Sequence, residues 1–189
     1  MDQPTPSQTA GPFFHLGLTS KGSVGNLVKP ETKGERIRLL CRVLDGDGLP
    51  VPDAMLEIWQ ANAEGKYNHP DDGQQKPIDP TILGFGRLAT DENGACVFTT
   101  IKPGQVPGAG GKLQASHINV SVFARGILKR LATRVYFSGD PAAAQDPVLS
   151  LVPQDRRSTL LAREDQAHGG DWHFDIHLCG PQETVFFDV

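Results

Sequence analysis

Apolar and polar residues alternate along several short stretches of this chain, and turn-forming residues separate these stretches. In residues 36–43 every second residue is apolar, and arginines occupy three of the intervening positions. The apolar members are Ile37, Leu39, Cys41 and Val43. A period of two is typical of a β-strand with one buried face. The turn Asp45-Gly46-Asp47-Gly48 follows, so the pattern predicts short strands joined by turns.

The whole chain contains about seven or eight such stretches. They are residues 36–43, 54–61, 85–90, 95–101, 117–124, 130–137, 172–179 and 184–188. The turn 91–94 between the third and fourth predicts a β-hairpin, and only residues 158–164 resemble a helix. We therefore expect an all-β fold, a two-sheet β-sandwich of about seven or eight strands with a long N-terminal arm and irregular loops.

Two segments lack a pattern long enough for a helix or strand. Residues 1–33 are polar and interrupted by Gly and Pro, and residues 105–115 form a glycine-rich loop. Long irregular segments in a compact domain are functional loops, contact arms or disordered chain. Since the first irregular segment ends at residue 33, we predict an N-terminal arm at 1–33 and one domain at 34–189.

Charge and composition exclude several classes of protein. The formal net charge is −4, so the chain lacks the basic field that nucleic-acid binding requires. It contains no run of 18 apolar residues, which argues against a membrane span, and residues 1–10 do not resemble a secretory signal. The three cysteines form no CxxC pair and lie in apolar stretches, which favours buried thiols. We expect a cytoplasmic protein that binds neither nucleic acid nor membrane.

Two groups of residues could carry chemistry. His173, Asp175 and His177 share one face of a predicted strand and resemble the donor set of non-haem iron sites. The polar face of a strand explains them better, because such sites usually draw their ligands from more than one element. His117 and Asn119 share a face of another strand, with Tyr67 upstream, and such a pair is usually a satisfied polar contact. Spacing alone therefore assigns no catalytic centre.

Several motifs in order resemble the intradiol ring-cleaving dioxygenases. The motifs are PSQTAGPF at 6–13, LEIWQA at 56–61, GKY at 65–67, TIKPG at 100–104, SHIN at 116–119, FDI at 174–176 and ETVFFD at 183–188. Together they span nearly the whole chain. The resemblance implies a ring-opening reaction of a catechol with O₂ at a ferric ion bound by two tyrosinates and two histidines.

The ligand positions of that family are only partly matched here. Tyr67 and His117 match the first tyrosine and the first histidine, whereas Val106 and Asn119 stand at the second tyrosine and second histidine. Gln114 stands where the family has an arginine. Since an alkyl group and a neutral amide do not replace phenolate and imidazole, the resemblance implies a degenerate site and no metal on this chain.

The resemblance also implies a partner. In the most similar members Fe(III) is bound by a separate, homologous β chain, and the active site lies between the two chains. The N-terminal arm would then line that cavity through Thr9, Gly11, Pro12 and Phe13, and Arg125 would meet the carboxylate of a small aromatic substrate. Two alternatives stay open. One is a non-catalytic β-sandwich binding module, and the other is a dioxygenase with metal at His173, Asp175 and His177.

Overall fold

Ten strands and one short α-helix make up most of the regular structure in the computed structural model, which describes residues 6–189. The helix α1 is Pro12–Leu18. The strands are β1 (Arg36–Leu44), β2 (Met55–Trp59), β3 (Phe85–Ala89), β4 (Ala95–Ile101), β5 (Val106–Pro107), β6 (Leu113–Gln114), β7 (His117–Phe123), β8 (Leu131–Phe137), β9 (Leu161–Glu164) and β10 (Asp171–His177). The all-β prediction is therefore confirmed.

Eight of the strands form one continuous sheet in the order β3-β2-β7-β8-β9-β10-β1-β4. Strands β1 and β10 run parallel, as do β8 and β9, and the other neighbours are antiparallel. The short strand β9 pairs with both β8 and β10, and it thereby connects the two halves of the sheet. Strands β5 and β6 form a separate two-stranded ribbon.

The sheet curls around a single main core. Alternate residues of β1 are buried, and they pack with residues from β2, β4, β7, β8 and β10. The two end strands also approach each other, because a Cβ atom added to Gly86 of β3 would lie 3.1 Å from the ring of Phe98 in β4. The sheet is thus nearly closed into a barrel-like shape. The predicted division into two sheets is not exactly confirmed, because β9 joins the two halves.

The predicted hairpin of residues 85–90 and 95–101 is wrong. Both strands form, but β3 pairs with β2 and β4 pairs with β1. The turn does form, since the Gly94 amide donates to the Asp91 carbonyl oxygen at 2.9 Å. A turn signal specifies a reversal of the chain, whereas the pairing is decided by which neighbours bury the apolar face of each strand.

Two other predicted elements also differ. Residues 158–164 are not one helix, because a 3₁₀ helix covers Gln154–Leu160 and the strand β9 follows it directly. Residues 184–188 do not form a strand ladder, and within them only Phe187 makes a β-bridge, to Ala132. In both places tertiary pairing outweighs the local pattern.

The first 33 residues contain structure that the sequence did not predict. Helix α1 begins with a proline, whose missing N–H costs nothing in the first turn of a helix. Farther along, Leu27 and Val28 are buried, and single β-bridges join Val24 to Arg87 and Val28 to Ile82. Residues 24–28 therefore pack against the domain, and the irregular part of the predicted arm ends before them. No helix within residues 6–189 has the length and apolar character to cross a membrane.

Candidate functional site

The loop that carries Tyr67 is held by a buried ion pair. The Lys66 ammonium lies 3.2 Å from the Asp72 carboxylate, and their side chains are only 6% and 9% exposed. The other carboxylate oxygen of Asp72 accepts from the Tyr67 backbone N–H at 2.8 Å. Burial opposes ionisation of Asp72, but the bonds from Gln74, Tyr67 and Lys66 outweigh it and lower its pKa to about 2. The Tyr67 backbone is thus fixed by charge-assisted hydrogen bonds.

Glycines bring the loop that carries Val106 against the Tyr67 loop. Gly65 has a φ of 77°, and a Cβ atom there would lie 1.9 Å from the Gln105 carbonyl oxygen. A Cβ atom on Gly104 would likewise lie 2.4 Å from the Ala63 carbonyl oxygen. This approach places Tyr67 and Val106 in the wall of one open cavity of about 380 Å³, together with Trp59. The rings of Trp59 and Tyr67 are stacked at 5.7 Å.

His117 and Asn119 project from the side of β7 opposite the main core. His117 is 3% exposed, and its Nδ1 donates to the Ala115 carbonyl oxygen at 2.8 Å. Burial first, and then the charge of Arg134, lower the pKa of His117 to about 4, so the imidazole is neutral at pH 7. The Asn119 amide donates to the Tyr67 hydroxyl at 3.4 Å. The structure therefore brings together Tyr67, Asn119 and His117, three of the four positions that the resemblance singled out, and places the fourth in the adjoining loop.

These side chains do not fit a ferric ion. Burial raises the pKa of Tyr67 despite the opposing bond from Asn119, so its hydroxyl is a neutral phenol at pH 7. The remaining positions supply one imidazole, one amide and the alkyl side chain of Val106, which is buried. Ferric iron in such sites requires anionic oxygen and imidazole donors. Within residues 6–189, moreover, no group of three His, Cys, Asp or Glu side chains is placed to hold a metal ion.

Arg134 is a member of this cluster that the sequence analysis missed. It lies directly opposite Asn119 in the pairing of β7 with β8, and its Nη1 donates to the Gln114 Oε1 at 2.6 Å. Arg134 and Asn119 also line one cavity of about 500 Å³ on this face of the sheet. The alternation of β8 alone gives no signal for it, since an arginine on the outer side of a strand is ordinary.

A second cavity, of about 340 Å³, lies on the N-terminal arm, and we call it the arm cavity. It is lined by Gly11, Pro12 and Arg125 of the predicted substrate-binding set, and the Gly126 amide beside Arg125 donates to the Thr9 Oγ1 at 2.7 Å. The structure therefore brings four of the five predicted residues together. The fifth, Phe13, is 85% exposed and does not line the cavity.

The neighbour of Phe13 takes the inward position. Phe14 lines the arm cavity, and its ring packs on Phe123 at 5.5 Å, which docks α1 on the sheet. Asp53 also lines the cavity, with the positive φ of 60° that is uncommon for residues other than glycine. Neither residue was predictable from the sequence, because both positions depend on how the arm packs on the domain.

His173, Asp175 and His177 line a polar cavity of about 290 Å³ on the exposed side of β10. Arg42 donates twice to the Asp175 carboxylate, at 3.0 and 2.9 Å, so both carboxylate oxygens are already bound to a cation. The alternative of a metal centre at these three residues is not supported, and the polar strand face is the better description.

The comparisons with known proteins agree on one family of dioxygenases. A family model described as "Dioxygenase" matches residues 9–180. The chain is 43% identical, over 97% of its length and 96% of the other protein, to the "Protocatechuate 3,4-dioxygenase alpha chain" of Pseudomonas putida. It is 40% identical, over 94% of its length and 77% of the other protein, to the "Protocatechuate 3,4-dioxygenase beta chain" of Burkholderia cepacia. The solved structure of hydroxyquinol 1,2-dioxygenase from Pseudomonas putida DLL-E4 has the same fold, with a TM-score of 0.64 and 23% identity over 93% of this chain and 67% of that one.

Proposed function

Because the chain belongs to the intradiol ring-cleaving dioxygenase family, we propose that it is the α subunit of a protocatechuate 3,4-dioxygenase. It acts with a homologous β subunit, as the α and β names of its relatives indicate. The complex converts protocatechuate (3,4-dihydroxybenzoate) and O₂ into 3-carboxy-cis,cis-muconate, and both oxygen atoms enter the product. In the absence of the β subunit this chain is not an active enzyme.

The observation that carries this proposal is the contact between Tyr67 and Asn119. An amide N–H donates to the phenol oxygen at the place where the family has imidazole and phenolate ligands to one metal. With Val106 at the fourth position, the site of this chain is degenerate. The iron of the complex is accordingly bound by the β subunit, where it activates the bound catechol toward O₂.

The contribution of this chain to the active site is the arm cavity. Gly11 and Pro12 supply a wall without polar side chains, and Arg125 supplies an exposed guanidinium on the same cavity. A guanidinium matches the planar geometry of a carboxylate, so Arg125 orients the substrate through its carboxylate and not through the reacting hydroxyls. Phe13 projects outward beside the cavity, where the β subunit covers it.

We place the complex in the cytoplasm. The three cysteines are free thiols, and two of them, Cys41 and Cys96, are buried opposite each other on β1 and β4 without a disulfide. Unpaired thiols of this kind are compatible with a reducing compartment.

Co-expression with a candidate β subunit tests the proposed function. We expect the purified complex to contain about one iron per αβ pair and to consume O₂ with protocatechuate, whereas the α chain alone contains no stoichiometric iron. Two results would contradict it. Iron near one per chain in the isolated α subunit, with a visible tyrosinate-to-iron band, would show a working site here. Failure of the two chains to copurify would instead favour a stand-alone binding module.

A further inference from the structure

Arg134 has a central position among the four degenerate ligand positions. The pairing of β7 with β8 sets it directly opposite Asn119 and on the diagonal to His117, and side chains at both distances can interact across a sheet. Because alternate residues share a face, these three side chains project to the same side. Tyr67 is one hydrogen bond farther, through the Asn119 amide.

A second set of contacts links Arg134 to the remaining position. Its Nη1 donates to the Gln114 Oε1, and Gln114 lies opposite Val106 in the pairing of β5 with β6. Arg134 is thus a neighbour, by register or through one bonded side chain, of each position at which the family has a metal ligand.

The charge of Arg134 is not used by an acidic partner. Among the ion pairs formed by residues 6–189 none includes Arg134. Its side chain bonds to uncharged partners, the amide oxygen of Gln114 and the hydroxyl of Tyr136. The positive charge is also felt by the cluster, since it is the second cause, after burial, of the low pKa of His117. The buried Asp146 carboxylate, which accepts from the Tyr136 hydroxyl, acts on His117 in the opposite sense but more weakly, so the half-buried guanidinium dominates the local charge.

We propose that the Arg134 guanidinium is the resident cation of this cluster, in the place of the metal ion, and that it excludes iron independently of the missing ligands. Like charges in a partly buried site repel, so the Arg134 guanidinium disfavours a ferric ion among these positions. The inference rests on the proposed correspondence of Tyr67, Val106, His117 and Asn119 with the family's ligands.

Restoring the ligands with and without the arginine tests this inference. In the double variant Val106→Tyr/Asn119→His all four donor types are present, but Arg134 remains, and we expect no stoichiometric iron after purification in the presence of ferrous salt and air. Adding Arg134→Gln should yield iron near one per chain and a visible tyrosinate-to-iron band. The matched control adds Arg130→Gln instead. Arg130 lines the same 500 Å³ cavity but is exposed and makes no bond to Gln114, so its removal should not admit iron.

Iron in the double variant, or equal iron with the Arg130 control, would overturn the inference. Absence of iron from the variant that also carries Arg134→Gln would overturn it as well, because removal of the guanidinium would then not allow iron to bind. Iron in the unmodified chain contradicts the proposed function itself, so the two failures are distinguishable.

Discussion

The imidazole of His117 makes the stability of the chain depend on pH between about 4 and 6.5. Its pKa in the folded chain is about 4, because burial and the nearby Arg134 charge disfavour the imidazolium form. In the unfolded chain it returns to about 6.5. As pH falls through this window the unfolded chain binds the proton first, so the contribution of His117 is fully present above pH 6.5 and is lost toward pH 4.

The size of the effect follows from the two pKa values. A difference of about 2.5 pH units corresponds to about 3 kcal/mol when it is fully expressed, and to about 2.5 kcal/mol at pH 4.5. Since His117 is only 3% exposed, solvent screening does not reduce this figure greatly. It is a large part of the net stability of an ordinary domain.

Urea unfolding at pH 7.5 and 4.5 measures this contribution of His117 to the unfolding free energy. We expect the drop in unfolding free energy between the two pH values to be about 2.5 kcal/mol smaller in His117→Gln than in the unmodified chain. The loss of other titrating groups, Asp72 among them, cancels in this difference. His69→Gln, which removes an exposed imidazole, is the control and should behave as the unmodified chain does. An equal drop in His117→Gln and the unmodified chain would refute the assigned burial of a neutral imidazole.

Three further changes test other parts of the molecule. Arg125→Ala in the complex should raise KM for protocatechuate about 5- to 30-fold with less change in kcat, while turnover of catechol stays unchanged; the exposed Lys129→Ala is the control, and equal losses with both substrates would make Arg125 structural. Deleting residues 1–13 should reduce oxygen uptake by the complex more than it lowers the melting temperature of the chain, and undiminished uptake would exclude the arm from the active site. Lys66→Met should lower the unfolding free energy by about 1–3 kcal/mol, because it removes the cation beside Asp72 while Tyr67 and Gln74 still donate to that carboxylate; a loss below about 0.5 kcal/mol in urea unfolding would contradict that.

The strands of this fold were predictable from sequence because the half-buried strand imposes a period of two. Residues 36–43 and 95–101 agree with β1 and β4 to within one residue at each end. Pairing was not predictable in the same way. The turn at 91–94 reverses the chain, yet it joins the two ends of the sheet, and no local pattern distinguishes that outcome from a hairpin.

The candidate site also contains residues that were predictable from the sequence and residues that were not. Tyr67, Val106, His117 and Asn119 were identified through motifs of a known family, because motifs preserve the position of a residue even when its type has changed. Arg134 was not identified from the sequence, because it belongs to no motif and its position beside the site depends on the register of β7 with β8. Phe13 was assigned to a cavity wall through its motif, and the helix instead turns Phe14 inward.

Contacts within the chain hold the backbone around Tyr67 and Val106, and under the proposed function this explains how the ligands can be absent while their framework persists. The Tyr67 loop is fixed by Lys66 and Asp72, and the close approach at Gly65 and Gly104 leaves no room for a side chain between the loops. These contacts are packing and ion pairing within the chain, so a change of ligand type at the tip of either loop leaves the backbone in place. Buried polar groups that lack hydrogen-bond partners would, however, destabilise the site. The Asn119 amide on the Tyr67 hydroxyl and the Arg134 guanidinium on Gln114 satisfy those groups from within the chain. Under the proposed function, the same fold thereby serves as a metal-free partner that contributes to catalysis at the arm cavity.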